Sequence, residues 1–243
     1  MTVAAVLTAA GSGSRLGHPL PKALVPLGGK SLVVHAARNL LAARAAGDQH
    51  VRALVVTAPA EHVAALSEEL LAALSDELGR VDVVVVAGGP TRQASVAAGL
   101  GALSDEFGVV LVHDAARPLA PASLVARVID AVLDGHPAVV PGLPVVDTVK
   151  RVQTGGPVEL VLATVPRVDL RAVQTPQGFR RELLLRAHAE FASGALDEAT
   201  AASDDAGLVE RLGEPVWVVA GDERAAKITT PRDLAIATLL LED

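Results

Sequence analysis

Apolar and polar positions change rhythm repeatedly along this 243-residue chain. Residues 3–8 form a short β-branched apolar run and predict a buried strand. Residues 31–46 carry helical periodicity, with Ser31 as N-cap and Gly47 as the stop. Residues 51–57 predict a second strand, 59–78 an amphipathic helix ended by Gly79, and 81–86 a third strand. A helix over 91–103 follows "AGGP". A fourth strand, 109–112, runs into "HDAARP", and 124–133 and 138–140 read as helix and strand.

This alternation predicts an α/β fold, doubly wound, with a mostly parallel sheet and helices on both faces. Continuous Val/Leu/Ile strands fit burial on both faces. In such sheets ligands sit outside the carboxyl ends of the strands. That rule brings residues 9–17, 88–89 and 113–118 to one crevice, where the sequence turns glycine-rich or polar.

The rhythm breaks near Pro141. Residues 145–152 and 158–165 are β-like runs around "QTGGP", a hairpin-type turn. They read as an arm, at about 142–170, inserted into a single domain spanning 1–243. An isolated hairpin is marginal in water, so the arm is expected to pack on something, such as a second subunit. Beyond it come a strand near 172–174, helices over 181–193 and 204–212, a strand over 215–219 and a closing helix over 231–241.

Composition narrows the function. No apolar run reaches the roughly 20 residues of a membrane helix, and the N-terminus carries no signal-peptide pattern. The chain has no cysteine, which excludes disulfides and thiolate metal sites and fits a reducing, cytoplasmic setting. A net charge of −7, one Trp, three Phe and no Tyr argue against nucleic-acid binding. Only four lysines occur: Lys22, Lys30, Lys150 and Lys227.

The opening loop, "AAGSGSRLGHPLPKALVPLGGKS", matches neither familiar phosphate motif. A dinucleotide turn needs a third glycine where Leu16 stands, and Pro19 and Pro21 forbid a helix opening there. A Walker A loop needs glycine where Leu24 stands, so "GGKS" reads as a turn. What remains suits a triphosphate. Gly11 and Gly13 let backbone N–H groups approach phosphate oxygens. Arg15 offers a fork matched to phosphate and Lys22 a compact charge. The prolines stiffen the loop that carries both.

"AAGSGSRL…PKAL" resembles the signature loop of sugar-phosphate nucleotidyltransferases. With "AGGPTRQASVAAGL", "VLVHDAARP", "DTVKR", "VQTPQGF", "SDDAGLVE" and "KITTPRDL" in this order, nearly the whole chain is similar to the 2-C-methyl-D-erythritol 4-phosphate cytidylyltransferase family. The resemblance implies attack of a substrate phosphate on the α-phosphorus of CTP. That nucleophile is already ionised at neutral pH, so positioning and charge stabilisation should carry catalysis.

By the same resemblance Arg15, Lys22 and Lys227 are the catalytic cations. Ala9, Ala10, Gly11, Gly13, Gly88, Gly89 and Ser95 bind the nucleotide. Arg117, Thr148, Arg167 and Lys227 match positions that hold the methylerythritol phosphate. Asp114 is the candidate Mg²⁺ ligand, since one carboxylate with phosphate oxygens and water is how that ion is usually held. Its plainer reading is a helix cap or a partner for Arg117. His113 is expected to be structural, Arg92 to brace a loop, and Lys227 otherwise to pair within "GDE" at 221–223. Asp204 and Asp205 read as the cap and first-turn acid of a short helix. Pro90 departs from the acidic residue many relatives carry. The family pattern is a homodimer whose arm reaches the neighbouring site. Alternatives are a cytidylyltransferase for another polyol phosphate, such as ribitol 5-phosphate, and a non-catalytic CTP-binding protein.

Overall fold

The computed structural model describes residues 1–11 and 16–242. Gly13 and Arg15 lie outside the described residues. In chain order the elements begin with β1 (Thr2–Thr8), β2 (Pro26–Leu27), β3 (Lys30–Ser31), α1 (Leu32–Ala42), β4 (Val51–Ala58), α2 (Val63–Ala73) and β5 (Asp82–Ala87). Then come α3 (Arg92–Gly101), β6 (Phe107–Asp114), α4 (Ala122–Leu133), β7 (Ala138–Pro144), β8 (Val149–Gln153) and β9 (Leu160–Val165). The chain finishes with β10 (Arg171–Val173), β11 (Gln177–Arg180), α5 (Arg181–Glu190), α6 (Asp205–Arg211), β12 (Trp217–Ala220) and α7 (Pro231–Glu242).

The central sheet runs β10-β7-β11-β6-β1-β4-β5, with β12 also on β7. β6, β1, β4 and β5 are parallel neighbours. β11 is antiparallel to both β6 and β7, and β12 is parallel to β7. Val139 pairs with Gly178 and with Trp217, and Gly142 with Val173 and with Ala220. β10 and β11 therefore lie end to end along one edge of β7, and β12 along the other.

Alternation within β1 divides the core. Val3, Ala5 and Leu7 pack with α1, α2 and α4; Ala4 and Val6 pack with α3, α5 and α6. All five are fully buried. A strand covered on both faces has no polar positions to spare, which explains its unbroken apolar run. The Val and Leu side chains among them contribute about 1.5–3 kcal/mol each by leaving water. A third cluster joins Leu16, Val25 and Leu27 of the opening loop to Leu119, Ile228 and Ala237. The last helix thus packs on the first loop.

Several local expectations are corrected. α1 stops at Ala42, before Gly47, because Arg44 Nη1 donates to the carbonyls of Leu41 and Ala43 at 2.7 and 2.8 Å. Ser31 stands at the N-cap position, yet its side chain makes no cap bond. The helix expected over 59–78 opens as a 3₁₀ turn, and α2 ends at Ala73. β11 was not expected from its sequence at all. "GGKS" is a turn, with Gly28 and Gly29 at φ of 55° and 81° between β2 and β3. Among the described residues no helix is long and apolar enough to cross a membrane.

β8 and β9 form a two-stranded hairpin outside the main sheet. Its apolar side chains stay in solvent in the single chain: Val158 is 89% exposed, Leu160 65% and Leu162 55%. The flanking Val146 and Val168 are 78% and 74% exposed.

Candidate active site

Thr8, at the end of β1, pairs with Thr57 on β4 and with Asp114 on β6. Ala58 pairs with Ala87. The loops after β1, β5 and β6 therefore leave the sheet along one line. They bound a cleft of about 390 Å³, lined among others by Ala9, Ala10, Gly11, Lys22, Gly89 and Ser95. Asp114 and Lys227 line it too.

The "AGG" turn is built for close approach. A Cβ on Gly88 would stand 2.7 Å from the Ala10 Cβ and 2.8 Å from Ser95 Oγ. One on Gly89 would collide with Ala94. Ser95, 2% exposed, accepts from the Gly89 N–H at 3.1 Å and donates to the Thr91 carbonyl at 2.8 Å. Thr91 caps α3 by accepting from the Ala94 N–H at 3.0 Å, an arrangement worth about 1 kcal/mol. Its hydroxyl donates to the Ala195 carbonyl. Gln93 accepts from the Ala202 N–H at 2.9 Å and donates to the Phe191 carbonyl at 3.1 Å. These bonds fasten the segment carrying Glu198, which also lines the cleft.

Asp114 is 6% exposed and binds cations on both oxygens. Oδ1 takes Arg92 Nε at 3.0 Å and lies 3.3 Å from the Thr8 hydroxyl; Oδ2 takes Lys227 Nζ at 2.8 Å. Burial would push this carboxyl up, but the charges of Arg92 and Lys227 outweigh it and hold it well below the usual carboxylate range. Lys227 thus pairs with Asp114, not within "GDE", and Asp114 does not pair with Arg117.

Arg92 reaches further. Its Nη1 donates to Asp205 Oδ2 at 2.7 Å, and Asp205 Oδ1 meets His188 Nε2 at 2.9 Å. Asp205 is therefore more than a first-turn acid: it is 1% exposed and ion-paired. Burial alone would raise its pKa; Arg92 and His188 bring it below the usual value. Asp204 caps α6 as expected, accepting from the Gly207 N–H at 3.2 Å.

His113 is structural. Its Nε2 donates to the Arg117 carbonyl at 3.2 Å, and its Nδ1 accepts from Thr175 Oγ1 at 2.8 Å. Thr175 Oγ1 in turn accepts from the Asp114 N–H at 3.1 Å. A neutral imidazole with its proton on Nε2 satisfies this chain. Burial, with a further push from Arg117 against the pull of Asp114, lowers its pKa to about 4.

The other expected substrate residues sit apart from the cleft walls. Arg117 donates to the carbonyls of Ala225 at 2.7 Å and Val173 at 3.4 Å. Thr148 is exposed beside β8, and Arg167, after β9, donates to the Val146 carbonyl. Gly88 backs the cleft through Ala10 and Ser95. Sequence reasoning missed Thr8, Glu198 and Thr229 as lining residues. Thr8 carried a signal, as the last residue of a strand at the carboxyl edge. Glu198 carried none.

The doubly wound sheet and the cation-lined crevice at its carboxyl edge define an α/β protein of the nucleotide-binding kind. A family model described as 2-C-methyl-D-erythritol 4-phosphate cytidylyltransferase (IspD) matches residues 3–243. Curated proteins of that name are similar along their length. The one from Streptomyces coelicolor is 50% identical over 241 residues, covering 98% of this chain and 84% of its own. The one from Nocardia farcinica is 49% identical over 242 residues, covering 99% and 94%. A crystal structure of the Thermus thermophilus protein of that name matches with a TM-score of 0.76 and 36% identity, covering 100% of both chains. The chain belongs to the 2-C-methyl-D-erythritol 4-phosphate cytidylyltransferase family.

Proposed function

We propose that this protein transfers the cytidylyl group of CTP to 2-C-methyl-D-erythritol 4-phosphate. A phosphate oxygen of the acceptor attacks the α-phosphorus, the bond to the β-phosphate oxygen breaks, and pyrophosphate leaves with the electron pair. The observation that carries this reading is the pairing of family membership along the whole chain with a cleft holding Lys22, Lys227 and Asp114. An acceptor phosphate is ionised at neutral pH, so the site has no need of a general base.

In this reading the backbone of Ala9, Ala10 and Gly11, with Gly13, Gly88, Gly89 and Ser95, binds the nucleotide. Arg15, Lys22 and Lys227 stabilise charge on the α-phosphate and the leaving pyrophosphate. Arg117, Thr148 and Arg167 hold the acceptor.

Mg²⁺ belongs to the same proposal, and the donor set fits it. Asp114 is a charged oxygen donor on the cleft wall. Among the described residues no group of three or more His, Cys, Asp or Glu could hold a metal. One carboxylate, with phosphate oxygens and water, suits Mg²⁺ better than zinc. Bound at Asp114, the ion would supply positive charge to the triphosphate.

The arm completes the proposal. Val146, Val158, Leu160, Val161, Leu162 and Val168 stay exposed within one chain. A second copy would bury them and bring Thr148 and Arg167 to its neighbour's cleft, as a homodimer with shared sites. A cytoplasmic setting is part of the same reading. Pyrophosphate release measured with CTP, Mg²⁺ and either methylerythritol phosphate or ribitol 5-phosphate tests it; a preference for ribitol 5-phosphate would replace the acceptor.

A further inference from the structure

We infer that Arg92 is a positioning residue for Asp114: a guanidinium clamp, anchored from behind by Asp205, that fixes the carboxylate toward the cleft. Three observations carry this. First, the guanidinium is used as a fork across two carboxylates from different elements. Nε holds Asp114 at the end of β6, and Nη1 holds Asp205 at the start of α6.

Second, the anchor is itself fixed. Gln177 on β11 donates to Asp204 Oδ2 at 2.7 Å and accepts from the Ala206 N–H at 3.1 Å. Those bonds straddle Asp205, whose second oxygen is taken by His188 on α5. Asp205 therefore has little freedom to follow Arg92, and Arg92 little freedom to leave it.

Third, the two cations on Asp114 differ in mobility. The Lys227 side chain is 41% exposed, on the cleft side. The Arg92 side chain is 21% exposed and tied at both ends. When Lys227 turns to a substrate phosphate, Asp114 keeps its orientation only through Arg92 and Thr8. A buried ion pair adds little net stability over apolar packing of the same volume, so helix packing alone gives no reason for two pairs on one guanidinium. Arg92 also keeps Nη2 buried without a partner among the described residues.

The inference rests on the proposed cytidylyl transfer for its rate readout, and a double-mutant cycle tests it. Arg92→Met is expected to lower kcat by about 10- to 100-fold, the scale for losing a partner that orients a reacting-centre ligand. CTP affinity, measured by calorimetry with EDTA present, is expected to shift less than about threefold, because Arg92, though it lines the cleft, has its Nε and Nη1 committed to Asp114 and Asp205. In an Asp114→Asn background the same change should cost less than about threefold more in kcat. Arg92→Lys keeps the charge but loses the rigid fork that fixes both carboxylates, so it is expected to lose activity similarly and to serve if the Met variant fails to fold. Multiplicative losses in the double variant, or CTP affinity reduced more than about tenfold by Arg92→Met, would overturn the clamp. An active wild type with multiplicative losses sinks the clamp alone. An inactive wild type sinks the proposed activity, and the clamp then stands or falls on coupling between the same substitutions in chemical unfolding.

Discussion

Lys227 Nζ lies 2.8 Å from Asp114 Oδ2, joining the segment before the last helix to the end of a central strand. The pair sets a cation and a carboxylate side by side on one wall of the cleft. Replacing Lys227 by Met removes the cation and leaves the fold's core untouched. A fall in kcat of about two to three orders of magnitude is expected, the scale of one preorganised charge contact. Steady-state rates with circular dichroism as a folding control check it; a kcat near wild type would take Lys227 out of the chemistry.

Lys22 enters the cleft from the 3₁₀ turn Lys22–Leu24, which follows Pro21. The stiff entry keeps its charge placed. Lys22→Ala is expected to lower kcat by about 10²–10³ as well. A purified variant with nearly unchanged turnover would remove Lys22 from this role.

The neutral His113 makes stability depend on pH in a defined window. Its folded pKa, about 4, lies below the ordinary histidine value of about 6.5. A depressed folded pKa means the unfolded chain binds the proton first. The stability His113 contributes is therefore complete above about pH 6.5 and is lost as pH falls toward 4, up to about 3 kcal/mol. Urea titrations between pH 7 and pH 4 should show this loss, and His113→Gln should flatten it. An unchanged slope in the variant would contradict the assignment.

The exposed arm makes a prediction about subunits. Arg167→Ala and Lys22→Ala, each inactive alone, should recover activity when mixed under conditions of exchange. Random exchange of a dimer gives one intact site in half the dimers, so recovery should approach about a quarter of wild-type activity. No recovery with exchange confirmed by mass spectrometry would place Arg167 in its own chain's site.

The parts of this fold legible in the sequence are those whose pattern is local. β1, β4 and β6 are covered on both faces, so their apolar runs announce them. The three strand ends that bound the cleft follow from that order and the carboxyl-edge rule. β11 was not legible. "QGFR" has no apolar run, and it becomes a strand because β6 and β7 pair with it on either side. The Arg92–Asp205 and Lys227–Asp114 pairs each join residues 113 positions apart, and no spacing rule reaches that far. "SDDAG" announced a cap, which Asp204 provides, while the neighbouring aspartate's ion pair depends on where α3 and α6 meet.

The most direct test is turnover itself: pyrophosphate released from CTP by the wild-type chain with Mg²⁺ and 2-C-methyl-D-erythritol 4-phosphate, with ribitol 5-phosphate alongside. Steady release with methylerythritol phosphate, lost in Lys22→Ala and Lys227→Met, is the expected result. Tight CTP binding with no pyrophosphate released on either acceptor would contradict it.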